Sequence, residues 1–284
     1  MTVNRNRFYL GPLGAMSPLP PLPRNSNPDG TPMRVGGIHQ SLSGRTTLDN
    51  YAYKRVYQFG WTFRTESELQ VLISAYRKLY AASTRLVDLR WTNQLSAQVA
   101  SGGSEKRLTL GFTPSAGTLV FGTAPSTLPS PLLGALDGCV TWTPTASTQT
   151  LLTSSTEIPV ISGSYYWFSA YGYGSGNQKL RIQPYDASGA ALTANDGSAI
   201  ALATSWSQYT VGPYYPPSNA VSLAVGWVAQ GSGTLNTTGW GVQVDQQVQP
   251  WAIGAGSPTV VIPSMTTVYP RPGYMNVSAV VQEV

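Results

Sequence analysis

At 284 residues, with 10% charged side chains, one cysteine and one histidine, the chain cannot form an intrachain disulfide, a cysteine metal cluster or a two-histidine metal site. Its 29 glycines and 22 prolines supply many turns, a composition that favours many short strands. The net charge of +5 is unevenly placed: residues 1–107 carry 14 Lys/Arg against 6 Asp/Glu and residues 108–284 carry 3 against 6, so two parts with different partners are expected.

The basic residues are scattered and form no binding signature, so nucleic acid is not the expected partner. A basic face meeting acidic neighbours in an assembly explains the charge as well. Residues 1–10 carry Arg5 and Arg7 without an apolar run, so no signal peptide is expected there. No stretch approaches bilayer-spanning length, so membrane insertion is not expected and synthesis in a cytoplasm is.

Residues 1–34 read as an extended arm. Its centre is Pro18-Leu19-Pro20-Pro21-Leu22-Pro23 followed by Arg24, a stretch that prefers polyproline geometry and has no core of its own. A neighbouring subunit is the simplest thing to hold it. From Val35 the chain becomes organised. Tyr53, Arg55, Tyr57, Phe59, Trp61 and Phe63 alternate with smaller or polar residues, which predicts a long strand with one aromatic face. Thr65-Glu66-Ser67-Glu68 reads as a capping box. Behind it Leu69, Leu72, Ile73, Tyr76 and Leu79 or Tyr80 keep helical spacing, with Arg77 and Lys78 expected in the last turn. Residues 85–91 return to strand alternation, and Ser101-Gly102-Gly103-Ser104 reads as a joint.

Beyond the joint, strands are expected at 118–122, 138–142, 157–161, 164–173, 178–185, 199–203, 207–212, 220–229 and 239–245, the density of a jelly-roll β-sandwich. The most informative of them is Tyr165 to Tyr173. Alternation puts Tyr166, Phe168 and Ala170 on one face and Tyr165, Trp167, Ser169, Tyr171 and Tyr173 on the other. One face can fill a core while the other offers a row of rings suited to stacking on sugars. Burial of both faces is the competing reading and, on the strand alone, the weightier one. Two last strands, 259–262 and 275–284, follow. The apolar end is expected to pair back near Tyr57, which would make the sandwich an insertion.

Nothing argues strongly for catalysis. His39 has no acidic neighbour in sequence and no second histidine. A glycosidase would need paired carboxylates, for which Asp137, Glu157, Asp186, Asp196 and Asp245 are candidates by residue type alone.

Residues 135–248 resemble the carbohydrate-binding modules that accompany glycan-degrading enzymes and occur in phage tails. The resemblance rests on Ser164 to Tyr171, Leu180 to Asp186, Ser205 to Thr210 and Thr238 to Asp245. It implies that Asp245 helps hold a structural calcium, the one cofactor expected. That family often has two acids there, whereas this chain has Asp245-Gln246. Trp167, Tyr171, Tyr173, Tyr214, Tyr215 and Trp227 are the residues expected to contact a glycan, because they are aromatic and lie on candidate strands or the Tyr214-Tyr215-Pro216-Pro217 loop.

The flanks resemble distal tail and minor tail proteins of long-tailed bacteriophages. That resemblance is carried by Val35 to Arg45, the aromatic strand with its capped helix, Leu86 to Ser96 and the closing Gln282-Glu283-Val284. It implies a ring, often a hexamer, that continues the tail tube at the virion's tail tip and displays the sandwich towards a host cell-surface glycan. Its partners would be tail-tube and tail-tip proteins. Pro18, Pro20, Pro21, Pro23, Arg24 and Arg45 are the assembly contacts expected on that reading. The expected fold is therefore mainly β: a split β-sandwich or barrel with one α-helix (35–107 with 250–284) and an inserted jelly-roll β-sandwich (108–249), without enzymatic activity. The alternative is a free-standing lectin or an accessory module of a glycan-active enzyme.

Overall fold

The computed structural model describes residues 8–22, 31–35, 38–40, 46–48, 52–90, 92–124, 127–130, 132–254 and 256–284. The protein is mainly β, and the chain divides into two units. A sheet unit takes Phe8–Gly11, Ser17–Leu86 and Pro258–Val284; a sandwich unit takes Val87–Ser257 with Leu13–Met16.

In the sheet unit, four antiparallel strands lie in the order Val260–Arg271, Tyr274–Glu283, Ala52–Arg64, Thr31–Val35. The C-terminal strand pairs where the sequence led us to expect, with Val281 opposite Tyr57 and Ala279 opposite Phe59. Tyr57, Phe59 and Trp61 alternate onto the inner face and stack in a row, Tyr57 to Phe59 at 6.1 Å and Phe59 to Trp61 at 5.5 Å. Phe8 meets Phe59 edge-on at 4.9 Å, and Leu69, Leu72, Val277 and Val281 close the core.

The hydrogen bonds of the expected capping box form, but they close a turn at residues 65–68 ahead of the helix, whose N-cap is Leu69 without a side-chain cap. Thr65 N–H donates to the Glu68 carboxylate at 2.9 Å, and Glu68 N–H reaches back to the Thr65 hydroxyl at 3.4 Å. The helix itself is shorter than expected, Gln70–Tyr76, so Arg77 and Lys78 follow it rather than occupy its last turn. Lys78 adopts φ 55°, a left-handed conformation that ends the helix.

The proline arm also differs from expectation. Pro18 sits on a two-residue strand paired with Phe8–Gly11, and Leu19 is buried. The Pro20 carbonyl accepts the Trp61 indole N–H at 3.0 Å, and the Pro21 carbonyl accepts from Arg64 at 3.1 Å. A proline carbonyl keeps full acceptor strength although the residue donates nothing, so this stretch is held by its own chain. Pro23, Arg24 and Arg45 lie outside the described residues, as does the side chain of His39.

The sandwich unit contains two antiparallel sheets. One runs Ser207–Tyr214, Tyr166–Ser175, Thr234–Val244, Gly138–Thr143, Thr118–Thr123. The other runs Asn195–Asp196, Asn177–Tyr185, Ser222–Ala229, Thr150–Thr153, Phe112–Pro114, with Ile158–Pro159 and Ile200–Ala201 added along it. Trp142, Trp227, Trp240, Tyr166, Phe168, Leu180 and Ile182 are completely covered between them.

One irregularity sets the faces. Ser169 pairs with Gly241 but Tyr171 pairs with Thr238, so the Thr234–Val244 strand carries an extra residue at Gly239-Trp240. Gly239 takes φ 60° there, and a Cβ would lie 2.9 Å from Leu132 and Tyr171. The extra residue reverses the alternation, so Thr237 and Leu235 point inward together with Trp240, Val242 and Val244.

The sandwich unit begins at Val87, about twenty residues before the expected start at 108. The reason is a buried side chain. Asn93 donates to the Trp240 and Ala252 carbonyls, both at 2.9 Å, and accepts from Val242 N–H at 3.1 Å and Leu95 N–H at 3.2 Å. The expected joint is packed as well. A short helix, Ala97–Ala100, precedes it; Ser101 is buried; and a Cβ on Gly102 would collide with Thr238.

Candidate functional site

The strand Tyr166–Ser175 separates its side chains as the alternation predicts. Tyr166, Phe168 and Ala170 are fully buried in the core. Trp167, Ser169, Tyr171 and Tyr173 take the opposite face, where they meet three different surroundings.

At the strand's start, Trp167 is part-exposed and its indole lies over Gly212, where a Cβ would come within 2.9 Å of the ring. Gly212 has φ 136°, so glycine is required there both by space and by backbone. Tyr215 is 64% exposed and packs its ring on Tyr165 at 5.5 Å, tilted by 50°. The base of this group is fixed by Asp245, whose carboxylate accepts from the Tyr165 N–H at 2.9 Å and the Ser164 hydroxyl at 2.8 Å. Gln243 stands in register with Trp167, and its side-chain oxygen is buried without a hydrogen-bond partner.

At the strand's far end, Tyr173 leans on Trp206 at 5.6 Å. Trp167 and Tyr173 are six residues apart on one face, about 20 Å along a strand. The middle is closed, because Tyr171 is covered by Leu128 and Leu132 and its phenol pKa is pushed up by burial. The face thus offers two separate ring pairs, not one continuous row.

Of the six aromatics expected to contact a glycan, Tyr215 is exposed on Tyr165 and Trp167 is part-exposed over Gly212. Tyr214 is half-buried beside it, opposite Tyr166, its phenol likewise shifted up by burial. Tyr173 belongs to the second group. Two expectations are corrected: Tyr171 is 7% exposed, and Trp227 is wholly buried with its indole N–H given to Thr237. Neither can stack on a ligand. The sequence list omitted Tyr165 and Trp206. Tyr165 shared the strand parity of Trp167, and Trp206 stood just before a strand, so both signals were present.

The five candidate carboxylates are each engaged. Asp137 pairs with Arg107 at 3.1 Å, and Asp196 with Arg181 at 2.6 Å. Glu157 accepts the Ser96 N–H at 2.9 Å. Asp186 folds its own turn, accepting from the Ser188 hydroxyl and the Ser188 and Ala190 amides; these donors hold its pKa below the usual carboxylate value. Asp245 is the strand staple described above. Both of its oxygens face N–H or O–H donors and no second acid adjoins it. A calcium ion needs six to eight oxygen ligands, so these residues do not fit one. Among the described residues no group of three His, Cys, Asp or Glu side chains gathers, and no helix is long and apolar enough to cross a membrane.

No protein-family model and no curated protein matches the chain. Several solved structures are similar to about half of it. One is the enzymatically active domain of bacteriophage CBA120 tailspike protein 4, with 16% identity over 54% of this chain and 21% of that one, TM-score 0.44. Another is the arabinose-bound MgGH51 α-L-arabinofuranosidase, with 17% identity over 54% of this chain and 26% of that one, TM-score 0.41. A third is the CBM22-1 xylan-binding domain of Paenibacillus barcinonensis Xyn10C, with 12% identity over 53% of this chain and 96% of that one, TM-score 0.42. The chain therefore spans about a quarter or less of the first two proteins and nearly all of the third domain.

Proposed function

We propose that the sandwich unit is a non-catalytic carbohydrate-recognition module, and that the chain carries it as a structural protein of a bacteriophage tail tip. One observation carries the first half: Tyr215 stands exposed with its ring on Tyr165, whose N–H is fixed by Asp245, and Trp167 is part-exposed two residues further along the chain. Aromatic rings held this way suit the apolar C–H face of a sugar, and stacking contributes about 1 kcal/mol per ring beyond area burial. The reading is of binding without turnover; Asp137, Glu157, Asp186, Asp196 and Asp245 each hold a structural hydrogen bond or ion pair.

Glycan arrays and cell-wall polysaccharide pulldowns with the full chain test this reading. Tyr215→Ala should weaken binding about fivefold, and the pair Tyr215→Ala with Trp167→Ala should abolish it, while Trp206→Ala leaves it within twofold. Equal binding by the double variant, or release of reducing ends from a bound polysaccharide, sinks the reading.

The second half rests on the division of the chain. The sheet unit draws strands from both ends of the sequence, and most of the sandwich unit is the single stretch Val87–Ser257 between them, an arrangement suited to display. The basic first third provides charge for neighbours in a closed symmetric assembly, expected to be a hexameric ring at the end of the tail tube. Native mass spectrometry and negative-stain imaging of the purified chain should show closed rings. A monomer at micromolar concentration would favour the free-standing glycan-binding module instead.

A further inference from the structure

The ground around Trp167 and Tyr215 limits how much of a glycan can be held there. Along the strand Tyr166–Ser175 the next outward residues, Ser169 and Tyr171, are both buried, with Leu128 and Leu132 packed on Tyr171. Across the sheet, Gln243 stands opposite Trp167 and is buried too. A Cβ on Gly241 would lie 3.1 Å from the Gln243 amide nitrogen and 3.3 Å from the Ser169 hydroxyl, so these side chains fill the space beside the indole themselves. The segment over them is tied down, with the Gln94 N–H on the Val242 carbonyl at 3.0 Å and Asn93 on the Trp240 carbonyl at 2.9 Å. On the remaining side lies the edge strand Ser207–Tyr214, whose Gln208 and Thr210 are exposed opposite Tyr171 and Ser169 and bring no ring. A polysaccharide gains affinity with length only where successive sugars find further contacts, and past Trp167 no further aromatic platform follows.

The same ground offers no charge. The stretch Val87–Ser257 holds five basic residues, Arg90, Lys106, Arg107, Lys179 and Arg181, against seven acids. Its three arginines are paired, with Asp88, Asp137 and Asp196 in turn. Lys179 follows the turn after Ser175, at the strand's far end from Trp167, and lies in the other sheet opposite Val228. Lys106 lies in a turn whose amide is held by the Gln98 side chain. At the aromatics themselves the charged group is Asp245, and both of its oxygens accept hydrogen bonds. A phosphate or carboxylate brought there would lose water without meeting a cation.

Resting on the carbohydrate reading, we infer that this site takes the end of a neutral glycan, or a branch of one or two sugars. A length of polysaccharide backbone does not lie along it.

Ligand-observed NMR titration of the full chain tests this. The probes are gluco-, xylo-, galacto-, manno- and rhamno-oligosaccharides of one, two, four and six units, with hexagalacturonate as the anionic counterpart. For each sugar that binds, affinity should rise by less than about threefold between two and six units, because one or two rings make all the contacts. Hexagalacturonate should bind at least about tenfold more weakly than the neutral series. Raising sodium chloride from about 50 to about 500 mM should leave the affinity within about twofold, since no ion pair is there to be screened. A larger gain with length, a larger salt dependence, or hexagalacturonate within tenfold of the neutral series overturns the inference. So does a loss on Trp206→Ala confined to the hexasaccharides, which would place both ring pairs under one chain. In each of those cases Tyr215→Ala still weakens binding and the carbohydrate reading stands. No binding of any probe, or binding that Tyr215→Ala with Trp167→Ala leaves unchanged, sinks that reading itself and the inference with it.

Discussion

Thr237 shows how much of the sandwich turns on a single hydroxyl. Its oxygen accepts the indole N–H groups of Trp227 at 3.1 Å and Trp240 at 2.8 Å, and its own proton goes to the Tyr171 carbonyl at 2.9 Å. All four groups lie in a core from which water is excluded, where a polar group without a partner costs about 1–3 kcal/mol. Thr237→Val keeps the shape and removes the acceptor from two donors, so it should destabilise the sandwich by about 2–5 kcal/mol. Thr237→Ser keeps the hydroxyl, loses one methyl group and should cost about 1 kcal/mol. Urea unfolding followed by tryptophan fluorescence separates the two. Equal losses would mean that the site responds to packing and that the hydrogen bonds contribute nothing measurable. The same hydroxyl explains why Trp227 could not be a ligand contact: it is one of two indoles that depend on this acceptor.

Among the secondary elements, those whose two faces differ were legible from sequence. The aromatic alternation at 53–63 and the apolar alternation at 275–284 each mark one buried side, and together they located the central pair of the four-stranded sheet. Tyr166 to Ala170 was legible for the same reason. Ser222–Ala229 was legible as a strand, expected at 220–229, but its faces were not, because all eight of its residues are buried; where both faces are covered, alternation does not say which side meets ligand. The strand Val260–Arg271 was missed past residue 262 because Pro263, Pro270 and a run of Ser and Thr read as loop. Proline is tolerated there because the strand lies at the sheet's edge, where a missing N–H breaks no ladder. The short strands Phe112–Pro114 and Thr150–Thr153 carry too few residues for a period to register. The bulge at Gly239-Trp240 was also invisible, since an inserted residue has no composition of its own. That insertion decides which aromatics face outward in the second half of the sheet.

On the scale of the whole molecule, the observation with most consequence is where the sandwich unit begins. A Gly-rich stretch at 101–104 suggested a joint, yet the segment before it supplies groups the sandwich needs. Asn93 closes four hydrogen bonds, two of them to the strand Thr234–Val244. The Ser101 carbonyl accepts the Thr238 hydroxyl at 3.1 Å, and the Ala100 carbonyl accepts the Trp251 indole at 3.0 Å. Two fragments make the argument testable. Residues 87–257 retain every one of these bonds and should fold cooperatively with ordered near-ultraviolet circular dichroism. Residues 108–249 lose Asn93, Ser101, Ala100 and Trp251 together, leaving the Trp240 carbonyl, the Val242 amide and the Thr238 hydroxyl without their partners. Three such groups at about 1–3 kcal/mol each, with about 2–4 °C per kcal/mol for a domain of this size, give a melting temperature lower by about 10 °C or more. Asn93→Ala in the longer fragment should reproduce about half of that shift, because it removes one node of the network and spares the others. If the shorter fragment melts as high as the longer one, the segment 87–107 is a passenger on the sandwich and the unit begins where the glycines suggested.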